Sequence, residues 1–201
     1  MASAQVDYAR TIEYLSKTQL PPYIAYVAHD AIRGMHDASS TDRIVIRVSD
    51  GKIVSGSTHF HVDNDHFVSQ DSNPVSNPVF DPKCYRATGE VQATFEGAPA
   101  LEISLIPTCG EKHPGDNDYA IRTLYANPQT LAPIDARGTG PSDSDSKYVS
   151  VTIDERFATF GGHVMPSSMN VDVSGSGLMF WLQVHLQETY TDYQFLNSPS
   201  A

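Results

Sequence analysis

Residues 147–196 read KYVSVTIDERFATF-GG-HVMPSSMNVDV-SGSG-LMFWLQVHLQETYTDYQFL, and this stretch decides the fold class. Residues 147–160 read as a strand. Gly161-Gly162 reads as a tight turn, and residues 163–173 as the return strand. Residues 174–177 read as a second turn, followed by a long final strand over 178–196. Extended runs separated by two- to four-residue glycine turns are the signature of antiparallel hairpins.

Working outward, the same grammar repeats. Residues 23–33 alternate, with Ile24, Tyr26, Ala28 and Ile32 on one face and Val27, His29 and Arg33 on the other. Residues 42–49 alternate again, and Asp50-Gly51 is a two-residue hairpin signal before a return strand over 52–57. Residues 84–95 and 100–106 form another hairpin. Residues 119–126 and 131–137 flank the turn Asn127-Pro128-Gln129-Thr130, which carries Pro at its second position. Residues 138–146 are a polar loop, and 58–82 a long loop rich in Asn-Pro and Asp-Pro steps, suited to a lid. One helix is predicted, over residues 4–18, from Val6, Ala9, Ile12 and Leu15 at a spacing of three, and Pro21-Pro22 stop it. The expectation is a mainly β (α+β) chain: about ten or eleven antiparallel strands in meander order, curved into an unclosed β-barrel. The N-terminal helix covers the concave face, the whole of 1–201 is one domain, and 197–201 is a tail.

Composition narrows the function. With 13 Lys+Arg against 24 Asp+Glu the formal net charge is −11, which repels phosphate backbones and anionic membrane surfaces, so no nucleic-acid partner is expected. No run approaches the eighteen or so apolar residues that span a bilayer, so the chain is not expected to be membrane-spanning. The opening Met1-Ala2-Ser3-Ala4-Gln5 has the small-x-small form found at secretory cleavage sites. It is read as a mature periplasmic or secreted form, signal peptide removed, behind an added Met. If Glu96-Gly97 is a two-residue turn, Phe95 faces Ala98, and counting outward brings Cys84 opposite Cys109, a disulfide candidate. A longer turn through Pro99 offsets the two and leaves them as reduced, buried cysteines.

Three segments carry a family resemblance. Thr123-Leu124-Tyr125-Ala126-Asn127-Pro128-Gln129-Thr130-Leu131-Ala132-Pro133-Ile134 resembles the "strand, Asp/Asn-Pro-x-Thr, x-x-Pro, strand" hairpin of the outer-membrane lipoprotein-sorting (LolA/LolB-like) superfamily. Phe157-Ala158-Thr159-Phe160-Gly161-Gly162-His163-Val164-Met165-Pro166 resembles its next hairpin. Glu188-Thr189-Tyr190-Thr191-Asp192-Tyr193-Gln194-Phe195 resembles the final strand of its secreted bacterial relatives. The resemblance implies an unclosed barrel lined with apolar side chains, and carriage of lipoprotein acyl chains or binding of related lipids.

The resulting functional expectation is a carrier or sensor that holds a hydrophobic ligand, a lipid or lipoprotein acyl chain, in the concavity of a half-barrel. Its cavity is expected to be lined by Ile12, Leu15, Tyr26, Phe95, Leu105, Tyr125, Phe157 and Trp181, with a membrane-associated protein as a further partner. The alternative is a non-catalytic interaction or scaffold domain with a solid core. A third reading is metal binding at His59 and His61, on one face of a strand, with His66 from the loop. No Gly-x-Ser-x-Gly, no His-flanked cysteine and no phosphate-binding glycine loop is present, so neither an enzyme nor a cofactor is expected.

Overall fold

Strand pairing organises almost everything in the computed structural model, which describes residues 2–16, 20–34, 37–56, 80–109, 119–140, 149–177 and 180–199. Among the described residues one α-helix, α1 (Ala2–Glu13), precedes ten strands. These are β1 (Tyr23–Arg33), β2 (Ala38–Arg47), β3 (Ile53–Ser55), β4 (Tyr85–Phe95) and β5 (Ala98–Pro107), followed by β6 (Ala120–Ala126), β7 (Pro133–Gly140), β8 (Val149–Phe160), β9 (His163–Gly177) and β10 (Phe180–Leu196). All ten form one antiparallel sheet in the order β3-β2-β1-β10-β9-β8-β7-β6-β5-β4, not closed into a barrel.

The meander expected from the sequence holds between neighbours, with one difference in where it is cut. The long β10 pairs with β1, from Tyr23↔Leu196 to Arg33↔His185, so the first and last strands meet in the middle of the sheet. The edges are instead β3 and β4, consecutive in sequence but at opposite ends of the order. Pairing β10 with β1 satisfies the backbone groups of both, which an exposed edge would leave open to other chains.

Local chemistry explains the turns. Glu96 and Gly97 both adopt positive φ (49° and 84°), as do Gly161 and Gly162 (54° and 88°), so each pair closes a two-residue turn whose twist matches that of the strands. Asp50-Gly51 differs from the expectation. Arg47 N–H donates to the Lys52 carbonyl at 2.8 Å, which makes a four-residue connection, and only Gly51 takes positive φ. Asp50 keeps a negative φ and instead accepts from Lys52 N–H at 3.2 Å. Residues 174–177, expected as a turn, are instead strand: β9 continues to Gly177, which pairs with Phe180.

The helix is shorter than expected. Beyond Glu13, the amides of Tyr14, Leu15 and Ser16 donate to carbonyls three residues back, the tightened winding of a helix end. Its buried stripe is also different: Ala4, Tyr8 and Thr11 face the sheet, while Val6 is 56% exposed. The separations of four and three follow the true 3.6-residue period, from which a strict spacing of three drifts away.

Candidate functional site

The helix-bearing face of the sheet carries two apolar clusters. Beneath α1, Ala4 and Tyr8 pack with Tyr85, Leu101, Ile103, Leu105, Ile121, Leu124 and Ile153. Burying each large aliphatic side chain here contributes about 1.5–3 kcal/mol. At the other end, Ile24, Tyr26, Ala28, Ile44, Ile46 and Tyr190 form a second cluster, against which Phe160, Tyr193 and Phe195 pack. Tyr26 lies edge-on to Tyr190 at 5.9 Å and stacks on Tyr193 at 5.6 Å. Tyr8 O–H donates to the Pro82 carbonyl at 2.7 Å, and burial raises the Tyr8, Tyr190 and Tyr193 phenols above their ordinary range.

From β1 into the first cluster the sheet register draws a row that sequence reading missed. Asp30 pairs with Glu188, Glu188 with Met169, Met169 with Glu155, Glu155 with Ala136, and Ala136 with Leu124. Residues opposite one another in antiparallel strands point to the same side, so these share the face of Leu124 and α1. Asp30, Glu155 and Glu188 are all buried. Glu188 accepts from the Tyr190 hydroxyl, and Glu155 from Phe80 N–H at 2.9 Å. Among the described residues, Asp30 accepts from the Ser40 hydroxyl at 3.3 Å, and its Oδ1 has no hydrogen-bond partner. Desolvation, opposed by the Ser40 bond, reinforced by nearby Asp42 and offset by His29, pushes its carboxyl up to about 6. The signal was present in the parity: Tyr26, Ala28 and Asp30 are alternate residues of one strand.

Of the expected lining residues, the structure brings together those under the helix. Leu105 is buried in the first cluster, and Ile12, Leu15 and Phe157 pack on it, each partly buried. Tyr26 belongs to the second cluster. Phe95 and Tyr125 are corrections, because both stand on the opposite face. There they touch each other at 5.1 Å, and the Arg137 guanidinium lies 5.0 and 5.4 Å from their rings. Their reversal has one cause. A register break between Ala87 and Gly89 shifts the inward positions of β4, and one between Ile121 and Thr123 does the same in β6. Leu124 therefore points inward in place of Tyr125, since a single extra residue exchanges the faces.

Trp181 pairs with Ser176 through the backbone of β10, and its side chain lies outside the described residues. His59, His61 and His66 fall in 57–79, also outside them. Among the described residues no three His, Cys, Asp or Glu side chains converge to hold a metal ion. Cys84 and Cys109 form a disulfide, with Cα atoms 4.9 Å apart. The bulge in β4 brings Thr108, whose N–H donates to the Cys84 carbonyl at 2.7 Å, opposite Cys84, so the bridge joins residues offset by one.

On the outer face, Asp135 is fully buried and accepts from Arg137 Nε at 2.5 Å, while Arg156 reaches Glu96 at 2.6 Å. A recess of about 250 Å³ beside the helix is lined by Arg10, Glu13, Tyr14 and Thr130; it is a polar surface feature apart from the apolar clusters. No helix among the described residues is long and apolar enough to cross a membrane.

No family model matches the sequence, and no curated protein does. Among solved structures, the chain is similar to a LolA superfamily protein, NE2245, from Nitrosomonas europaea. The identity is 11%, the alignment covers 98% of this chain and 94% of that one, and the TM-score is 0.46. A DUF1329 family protein from Desulfovibrio piger shows 11% identity, 96% and 92% coverage and a TM-score of 0.47. MucB, solved in complex with MucA(peri), shows 13% identity, 93% and 94% coverage and a TM-score of 0.23. At such identities the likeness concerns fold alone. A leading helix and a long antiparallel meander, read directly from the strand order, are the layout implied by the lipoprotein-sorting resemblance.

Proposed function

We propose that this chain binds an apolar ligand, a lipid or a lipoprotein acyl chain, against the helix-bearing face of its sheet, as a non-catalytic extracytoplasmic carrier or sensor. The supporting observation is a mismatch of areas. A helix of 12 residues is about 18 Å long, whereas ten strands at about 4.8 Å spacing spread over roughly 45 Å. Among the described residues one helix therefore covers only part of the inner face, and Ile12, Leu15, Phe157, Met169 and Val171 remain partly exposed along its margin. Apolar surface left beside a lid is where an acyl chain gains most, at about 0.8 kcal/mol per buried methylene before ordering costs. The Cys84–Cys109 bridge fits an oxidising compartment, periplasmic or secreted.

The test is uptake of a neutral fluorescent alkyl probe by the full chain and by Leu15→Asp, with circular dichroism confirming that both are folded. The expected result is saturable binding that weakens about tenfold in the variant, the effect of placing a charge where a methylene chain lies. Absence of uptake by the native chain, or equal uptake by both proteins, refutes the reading.

A further inference from the structure

We infer that the ligand of this face carries a cationic, hydrogen-bond-donating head, such as a primary ammonium, and that Asp30 receives it with Glu188 beside it. The inference rests on the apolar-binding reading above and adds the head group to it. Asp30 is 3% exposed and turned to the same face as Tyr26 and Ala28, yet its Oδ1 has no partner. A buried acceptor left open costs free energy, and in a native structure it calls for a specific explanation. The neighbouring carboxylates are treated differently. Glu188 is supplied with the Tyr190 hydroxyl and Glu155 with Phe80 N–H. On the outer face, the buried Asp135 also leaves its Oδ1 without a partner, but its charge is met by the Arg137 guanidinium on Oδ2. Among the described residues no ion pair reaches Asp30, and the donor it has is the neutral Ser40 hydroxyl.

The shape of the row selects the chemistry. Asp30 and Glu188 are directly opposed on adjacent strands, with Cβ atoms about 5 Å apart, and Glu155 lies two strands further along. Carboxylates spaced along a line do not converge on a point as metal ligands do. An ammonium group offers three donors that span two neighbouring carboxylates, and it brings into the low-dielectric interior the charge that Asp30 lacks. The row starts on β1, which carries part of the second apolar cluster, and runs into the first, so an alkyl chain attached to that head has apolar surface to follow. A carboxylate or phosphate head would face like charge here.

The experiment displaces the neutral alkyl probe with three competitors of equal chain length: dodecylamine, dodecanol and dodecanoate, at neutral pH and below micellar concentrations. The full native chain is compared with Asp30→Asn and with Asp192→Asn, an exposed site that removes the same charge. The expected order is amine about tenfold tighter than alcohol, with dodecanoate weakest, as a charge-assisted hydrogen bond in a desolvated site implies. In Asp30→Asn the amine's advantage over dodecanol falls to about twofold or less; in Asp192→Asn the advantage is kept. An amine that competes no better than the alcohol overturns the inference and leaves the apolar-binding reading standing. So does an advantage that survives Asp30→Asn, which would trace it to the general negative charge. If no competitor displaces the probe, both readings fall.

Discussion

The two halves of the helix-bearing face are closed by different means. Beneath α1, the β4–β8 half is sealed by a helix, by the Tyr8 bond to Pro82 and by a disulfide at its margin. The half built from β1, β2 and β10 is sealed, among the described residues, by stacked tyrosines and phenylalanines, and it carries a buried carboxylate with an open oxygen. Each half keeps a buried carboxylate oxygen without a partner, Glu90 Oε2 on β4 and Asp30 Oδ1 on β1. They differ in enclosure: Glu90 is partly exposed as a residue, whereas Asp30 is 3% exposed, and so enclosed a carboxylate calls for a specific explanation.

Removing the bridge breaks the comparison hardest. The double variant Cys84→Ser, Cys109→Ser frees a loop with a sequence separation of 25 residues and is expected to lose about 3 kcal/mol in urea denaturation. An unchanged midpoint would mean that the helix-covered half needs no covalent clamp.

Asp30→Asn probes the other half and has the opposite sign. The folded-state carboxyl of Asp30 is raised to about 6 from an ordinary 3.8, so between these values the native chain holds a proton that the unfolded chain has released. The stability that Asp30 contributes is fully present below about pH 4 and is lost as pH rises through about 6. At pH 7, Asp30→Asn is therefore expected to be more stable than the native chain by about 1–2 kcal/mol, less than the unscreened value because solvent penetration screens the charge. The two proteins converge at pH 4. Thermal melts across pH 4–7 check this, and a native chain that gains stability between pH 4 and pH 7 relative to the variant would contradict it.

Tyr8→Phe gives the smallest expected change. It deletes only the hydroxyl that donates to Pro82 and is expected to cost about 1 kcal/mol, measured by denaturant midpoint. Its value lies in contrast with Asp30→Asn: removing a satisfied polar group weakens one half, and neutralising an unsatisfied one strengthens the other.

Much of this was legible from residues alone. Glu96-Gly97 and Gly161-Gly162 set their hairpins because few residue pairs accept two successive positive φ values. The span of β1 follows from its alternation, and the disulfide from counting out of one turn, even though a bulge shifts its partners by one residue. The amphipathic helix was legible in position, but its buried stripe was not, because Tyr8 and Thr11 are less obviously apolar than the exposed Val6.

By itself, then, the sequence determined the strands, most of their turns and the antiparallel class, all of which arise from the conformational preferences of a few adjacent residues. Tertiary structure alone decided that β10 pairs with β1, that Phe95 and Tyr125 point outward, and that Asp30, Glu188 and Glu155 share one row. The physical reason is that a strand's inward face depends on register with a distant partner. One bulged residue reverses it without leaving a mark in the local pattern.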